Sequence, residues 1–111
     1  MTSAEVAPAP KEAPRPAPKG VLVCKANSVQ EGSIEVWLDW KGTSATGTLR
    51  RRTLAGDVSD TELTAGKMRG TIVADDVHSQ DLVVHAAMLH DHKGRQYVRL
   101  GDWKQGWTPC E

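Results

Sequence analysis

Phenylalanine is absent from this chain of 111 residues and tyrosine occurs once, whereas tryptophan occurs four times. Nearly all the aromatic area is therefore indole, which seeks a partner for its N–H when buried, so the place of each Trp is informative. An excess of charge is missing too, since fourteen basic side chains face fourteen acidic ones. Without a global field to draw it onto polyanions, the protein is not expected to bind nucleic acid. No apolar run approaches the roughly 18 residues of a spanning helix. Residues Met1 to Gly20 contain no apolar stretch of the kind that forms the centre of a secretory signal. The expected compartment is thus the cytoplasm if the chain is complete as given, and the periplasm or exterior if a leader has been removed and the cysteines are bridged. Asn27, the only asparagine, is followed by Ser28 and Val29, so no glycosylation sequon is present.

Catalytic signatures are missing as well. There is no G-x-S-x-G elbow, no glycine-rich phosphate cradle and no H-E-x-x-H pair, and neither cysteine lies in a motif that would activate a thiolate. The sequence implies no cofactor and leans away from an enzyme. A small hydrolase or transferase is left without an assigned nucleophile.

Hydrophobic residues at 39% and charged residues at 25% are ordinary for a globular domain and would be unusual for a wholly disordered chain. Five of the six prolines fall between Val6 and Gly20. Each removes a backbone donor and biases its predecessor toward extended geometry, so residues 1–20 read as a Pro/Ala-rich arm, disordered and semi-stiff, tethering one small domain at 21–111. Cys24 and Cys110 lie near the two ends of that domain. Domain termini are often close in space, so a bridge between them is favoured.

The clearest element is Ser33 to Trp40, where Ile34, Val36, Leu38 and Trp40 alternate with Ser33, Glu35, Trp37 and Asp39. Strict period two predicts a half-buried strand. Lys41-Gly42 supplies a turn, and Thr43 to Thr53 reads as the return strand of a hairpin. Ser59 and Glu62 have capping-box spacing with Gly66 beyond them, which predicts a short helix over Asp60 to Ala65. Gly70 to Ala74 reads as a strand. Leu82 to His90 fits a strand or one helical face, and the turn signal Asp91 to Gly94 ahead of Gln96 to Leu100 favours strand. The expected fold is all-β, a small antiparallel barrel or sandwich of five or six strands with at most one short helix, and a helix near 80–92 would convert it to α+β.

Two clusters invite a functional reading. His78, His85, His90 and His92 are close in sequence, and the region of His85, His90 and His92 offers a weak metal or small-ligand alternative because zinc prefers three or four ligands. The other cluster is built on Trp37, which sits on the polar face of the best strand. There it is either covered by the Trp103 and Trp107 tail or presented to a partner. Arg50 and Arg52 project to one side of the following strand, and Trp and Arg are the side chains most enriched among interface hot spots. The sequence therefore favours a noncatalytic binding or assembly module with a Trp/Arg surface made from Trp37, Arg50, Arg52, Trp103 and Trp107. A protein partner is expected first and a glycan second.

Overall fold

The structure is a computed structural model, and it describes residues 18–79 and 84–111. It is an antiparallel meander of eight strands, each bonded to the next in chain order. The strands are β1 (Val21–Ser28), β2 (Gly32–Lys41), β3 (Ser44–Arg52), β4 (Val58–Met68), β5 (Thr71–Asp76), β6 (Ala87–His92), β7 (Arg95–Leu100) and β8 (Thr108–Pro109). The sheet curls until its first and last strands approach. Cys110 N–H donates to Gln96 O on β7 at 2.8 Å, and Glu111 N–H donates to Lys25 O on β1 at 2.6 Å. The chain after β8 therefore bridges both neighbours, and the sheet is nearly closed into a barrel. A disulfide between Cys24 and Cys110 fastens the same seam across 86 positions of sequence. A loop of that length contributes on the order of 4–5 kcal/mol in the chain-entropy model.

The all-β, barrel-like architecture agrees with the sequence, but eight strands form where five or six were expected, and no helix is found among the described residues. The predicted helical turn over Asp60 to Ala65 lies inside β4, with Leu63 and Ala65 buried and Glu62 and Thr64 exposed between them. The capping interaction suggested by Ser59 and Glu62 would contribute about 1 kcal/mol. It is outweighed by ladders on both flanks, to β3 and to β5, together with burial of alternate side chains. The ambiguous stretch resolves as strand β6 from Ala87. Residues 80–83, and residues 1–17 of the arm, lie outside the described residues. No helix among the described residues is long and apolar enough to cross a membrane.

The interior follows from the period of two. Ile34, Val36 and Leu38 point inward from β2, and Leu63, Leu89, Val98 and Leu100 meet them from the other strands. One cross-strand row runs Trp40, Ala45, Ala65, Ala74, Ala87, Leu100, with alanine at four consecutive strands. Small side chains in one row leave room for the large ones of the neighbouring rows in a narrow barrel. Gly47 serves the same crowding, because a Cβ there would sit 1.8 Å from the Trp37 carbonyl oxygen.

The two ends differ. At one end the strands are joined by two-residue turns at Gly42-Thr43, Arg69-Gly70 and Lys93-Gly94. In the last two both residues have positive φ, at 53° and 82° and at 55° and 81°, which is the type I′ pattern that matches strand twist. Trp40 packs against the core near this end, with the Lys67 ammonium 5.5 Å from its ring centre. At the other end longer connections cross the opening, and Trp103 from the β7–β8 loop is only 5% exposed there.

Candidate functional site

The residues singled out from sequence are dispersed by the fold. Trp37 lies on the outer face of β2, half-buried between Leu22 of β1 and Thr48 of β3, and its Nε1–H donates to Glu35 Oε1 at 3.4 Å. The tail indoles go elsewhere, Trp103 into the core and Trp107 onto the outside of β6–β8, where its ring centre is 6.1 Å from that of His90. Arg50 grips Asp60 of β4 with two donors, Nε to Oδ1 at 2.9 Å and Nη2 to Oδ2 at 3.0 Å, with its side chain 13% exposed. A guanidinium held in this bidentate way is occupied. Arg52 stands at the strand end across from Ser33 and Val58.

The histidines separate into two pairs. His78 Nε2 donates to Glu62 Oε1 at 2.8 Å and His85 Nδ1 donates to Asp75 Oδ1 at 2.7 Å, both toward the end with the longer loops. A depression of about 260 Å³ near His85 holds the Arg51–Asp102 ion pair at 2.7 Å, with Asp76 also in its wall. His90 and His92 lie further along β6 and line a different pocket from His85, so His85 does not join them. Among the described residues no three His, Cys, Asp or Glu side chains come together as a metal-binding group.

His90 and His92 occupy alternate positions on β6 and share its outer face, because inward Leu89 is buried and both imidazoles are exposed. The β6–β7 hairpin places Tyr97 directly opposite His90, and the ring of His92 meets that of Tyr97 edge-on at 6.4 Å. Across β7, the β8 register sets Pro109 beside Tyr97 and carries Trp107 onto the same side. His90 Nδ1 is hydrogen-bonded to Thr71 Oγ1 of β5 at 3.0 Å. That bond orients the ring through Nδ1. The four rings of His90, His92, Tyr97 and Trp107 line an open pocket of about 400 Å³ with no Asp, Glu, Lys or Arg in its wall. Trp107 is 43% exposed.

Sequence reasoning had selected Trp107 and weighed His90 and His92 for metal, but it missed Tyr97 and the conjunction of the four. A signal was available. Centring the hairpin on Lys93-Gly94 pairs His90 with Tyr97, so three of the four rings follow from one turn assignment. The fourth requires the β7–β8 pairing, which no local pattern announces.

Comparison of the chain with protein-family models, curated proteins and solved structures found no match.

Proposed function

We propose that this protein is a noncatalytic binding module whose recognition surface is the outer face of β6–β8. The observation that carries the reading is the exposed Trp107 indole beside His90, completing with His92 and Tyr97 a pocket of about 400 Å³ walled by four rings. A large indole left in water is unfavourable unless something covers it, and exposed aromatic patches on a rigid sheet mark interaction sites. The sheet supplies the rigidity. Tyr97 and His90 are fixed by a type I′ hairpin, and Trp107 is held by a short strand anchored at Cys110. This arrangement suits capture, because stiff rings lose little conformational freedom when a partner docks.

The alternative Trp/Arg surface around Trp37 has less to offer a partner, since Trp37 is half-buried with its N–H engaged and Arg50 is committed to Asp60. The two surfaces are separable by experiment. Partner capture by purified protein carrying Trp107→Ala is expected to fall at least tenfold, while Trp37→Ala leaves it within about twofold. Undiminished capture by the Trp107 variant, with the fold intact by circular dichroism, overturns the assignment.

A further inference from the structure

The rings do not stand alone on their face. On β7 the outward positions run Arg95, Tyr97, Arg99, so a guanidinium flanks the tyrosine on each side, and Arg95 and Arg99 are both exposed. Same-side neighbours on a strand are about 7 Å apart, which spaces the two guanidinium stems by roughly 13 Å along the pocket. Among the described residues no carboxylate or other side-chain partner holds either arginine, in contrast to Arg50 and Arg51, which are paired with Asp60 and Asp102. Their cross-strand neighbours are His92 and Met88. Positive charge without a counter-charge, alternating with an exposed aromatic row, is complementary to a chain of rings that carries negative charge at intervals.

From this complementarity we infer that the β6–β8 face binds an acidic glycan, a run of pyranose rings bearing carboxylate or sulfate groups. The inference rests on the reading of this face as the recognition surface. The rings of Trp107 and Tyr97 supply apolar faces for the sugar C–H surface, His90 and His92 supply hydrogen-bonding groups for hydroxyls, and Arg95 and Arg99 take the anionic substituents. Two observations select this occupant over others. The face consists of two six-residue strands and the two-residue β8, roughly 200 Å² from strand spacing and rise, well below the ~800 Å² per partner of a standard protein interface. It matches a narrow linear ligand better than a protein surface. The Cys24–Cys110 disulfide is of the kind that persists in oxidising surroundings, where extracellular acidic glycans are met.

Isothermal titration of the disulfide-intact full chain with a short oligouronate, a neutral oligosaccharide of equal length, an oligoglutamate and an oligothymidylate tests the proposal. The oligouronate is expected to bind at least tenfold more tightly than the other three. Arg95→Ala with Arg99→Ala should weaken it about tenfold, and Arg95→Lys with Arg99→Lys should restore most of the loss, since two exposed charge contacts are removed and then returned. Absence of oligouronate binding, or binding indifferent to the arginines, overturns the acidic-glycan inference. If Trp107→Ala still abolishes partner capture, the recognition face itself stands. Tighter binding of oligoglutamate or oligothymidylate overturns the inference in favour of an acidic peptide or a nucleic acid.

Discussion

The barrel wall presents two outer faces, a broad one on β2–β4 and a smaller one on β6–β8, and they satisfy their polar groups in different ways. On the first, Arg50 and Trp37 are answered by neighbours on the next strand or on their own. Glu35, Arg50 and Asp60 form one cross-strand row with a two-donor ion pair inside it, and Trp37 spends its N–H on Glu35. On the second, Arg95 and Arg99 have no acidic partner among the described residues, and four rings line an open pocket. A face whose interactions close on themselves gains little from a partner, because binding must break what is already made. An unanswered face gains from one. The difference teaches that chemical type alone does not separate the two faces, since both hold Trp and Arg.

The comparison extends to how each face is supported. β2, β3 and β4 are long strands paired over nine positions in each ladder, whereas β8 has two residues and depends on the seam at Cys110. Replacing both cysteines by serine is expected to cost about 4 kcal/mol, the largest effect foreseen, read from urea unfolding as a lower midpoint with a steeper slope, because the uncrosslinked denatured chain exposes more surface. Hydrogen exchange should show protection lost first in β8 and β1 and last in β3. Equal loss throughout would erase the distinction in support. Next in size is Gly47→Ala, which drives a methyl group into the Trp37 carbonyl and is expected to destabilise by about 3 kcal/mol in thermal unfolding. Oligouronate affinity well below the midpoint should be unaffected, because Gly47 lies on the inward side of β3 and not on the β6–β8 face.

Smaller effects sharpen the contrast further. Arg50→Ala breaks a half-buried ion pair and should cost about 1 kcal/mol in stability with no change in ligand affinity. Trp107→Ala reverses that pattern, with stability within about 0.5 kcal/mol of the parent and binding lost, since an exposed side chain adds little to the fold. A Trp107 variant that unfolds readily would show that the indole is structural.

How much of this was legible beforehand depends on the range of each interaction. The β2–β3 hairpin was readable because Ile34 to Trp40 alternates strictly and Gly42 marks the turn, both local signals. The placement of Cys24 and Cys110 near the domain ends favours a bridge over two buried thiols without deciding between them, and the structure pairs the two. β4 was misread because Ser59, Glu62 and Gly66 carry a genuine local helix signal that non-local pairing with β3 and β5 overrides. The sites divide in the same way. Trp37 stood out because its own strand is regular, yet what it touches comes from β1 and β3. Trp107 acquires its meaning only when β8 pairs with β7 and brings it within reach of His90, a contact set by tertiary closure of the barrel.

The central claim is that the unanswered face, and not the self-contained one, meets the ligand. The four indole N–H resonances of a ¹⁵N-labelled sample report on both faces and on the core at once, with Trp37, Trp40, Trp103 and Trp107 each giving one signal. Titration with oligouronate is predicted to move the Trp107 signal, together with backbone amides of β6 to β8, and to leave the Trp37 and Trp103 signals in place. Movement of Trp37 with Trp107 stationary would contradict the account.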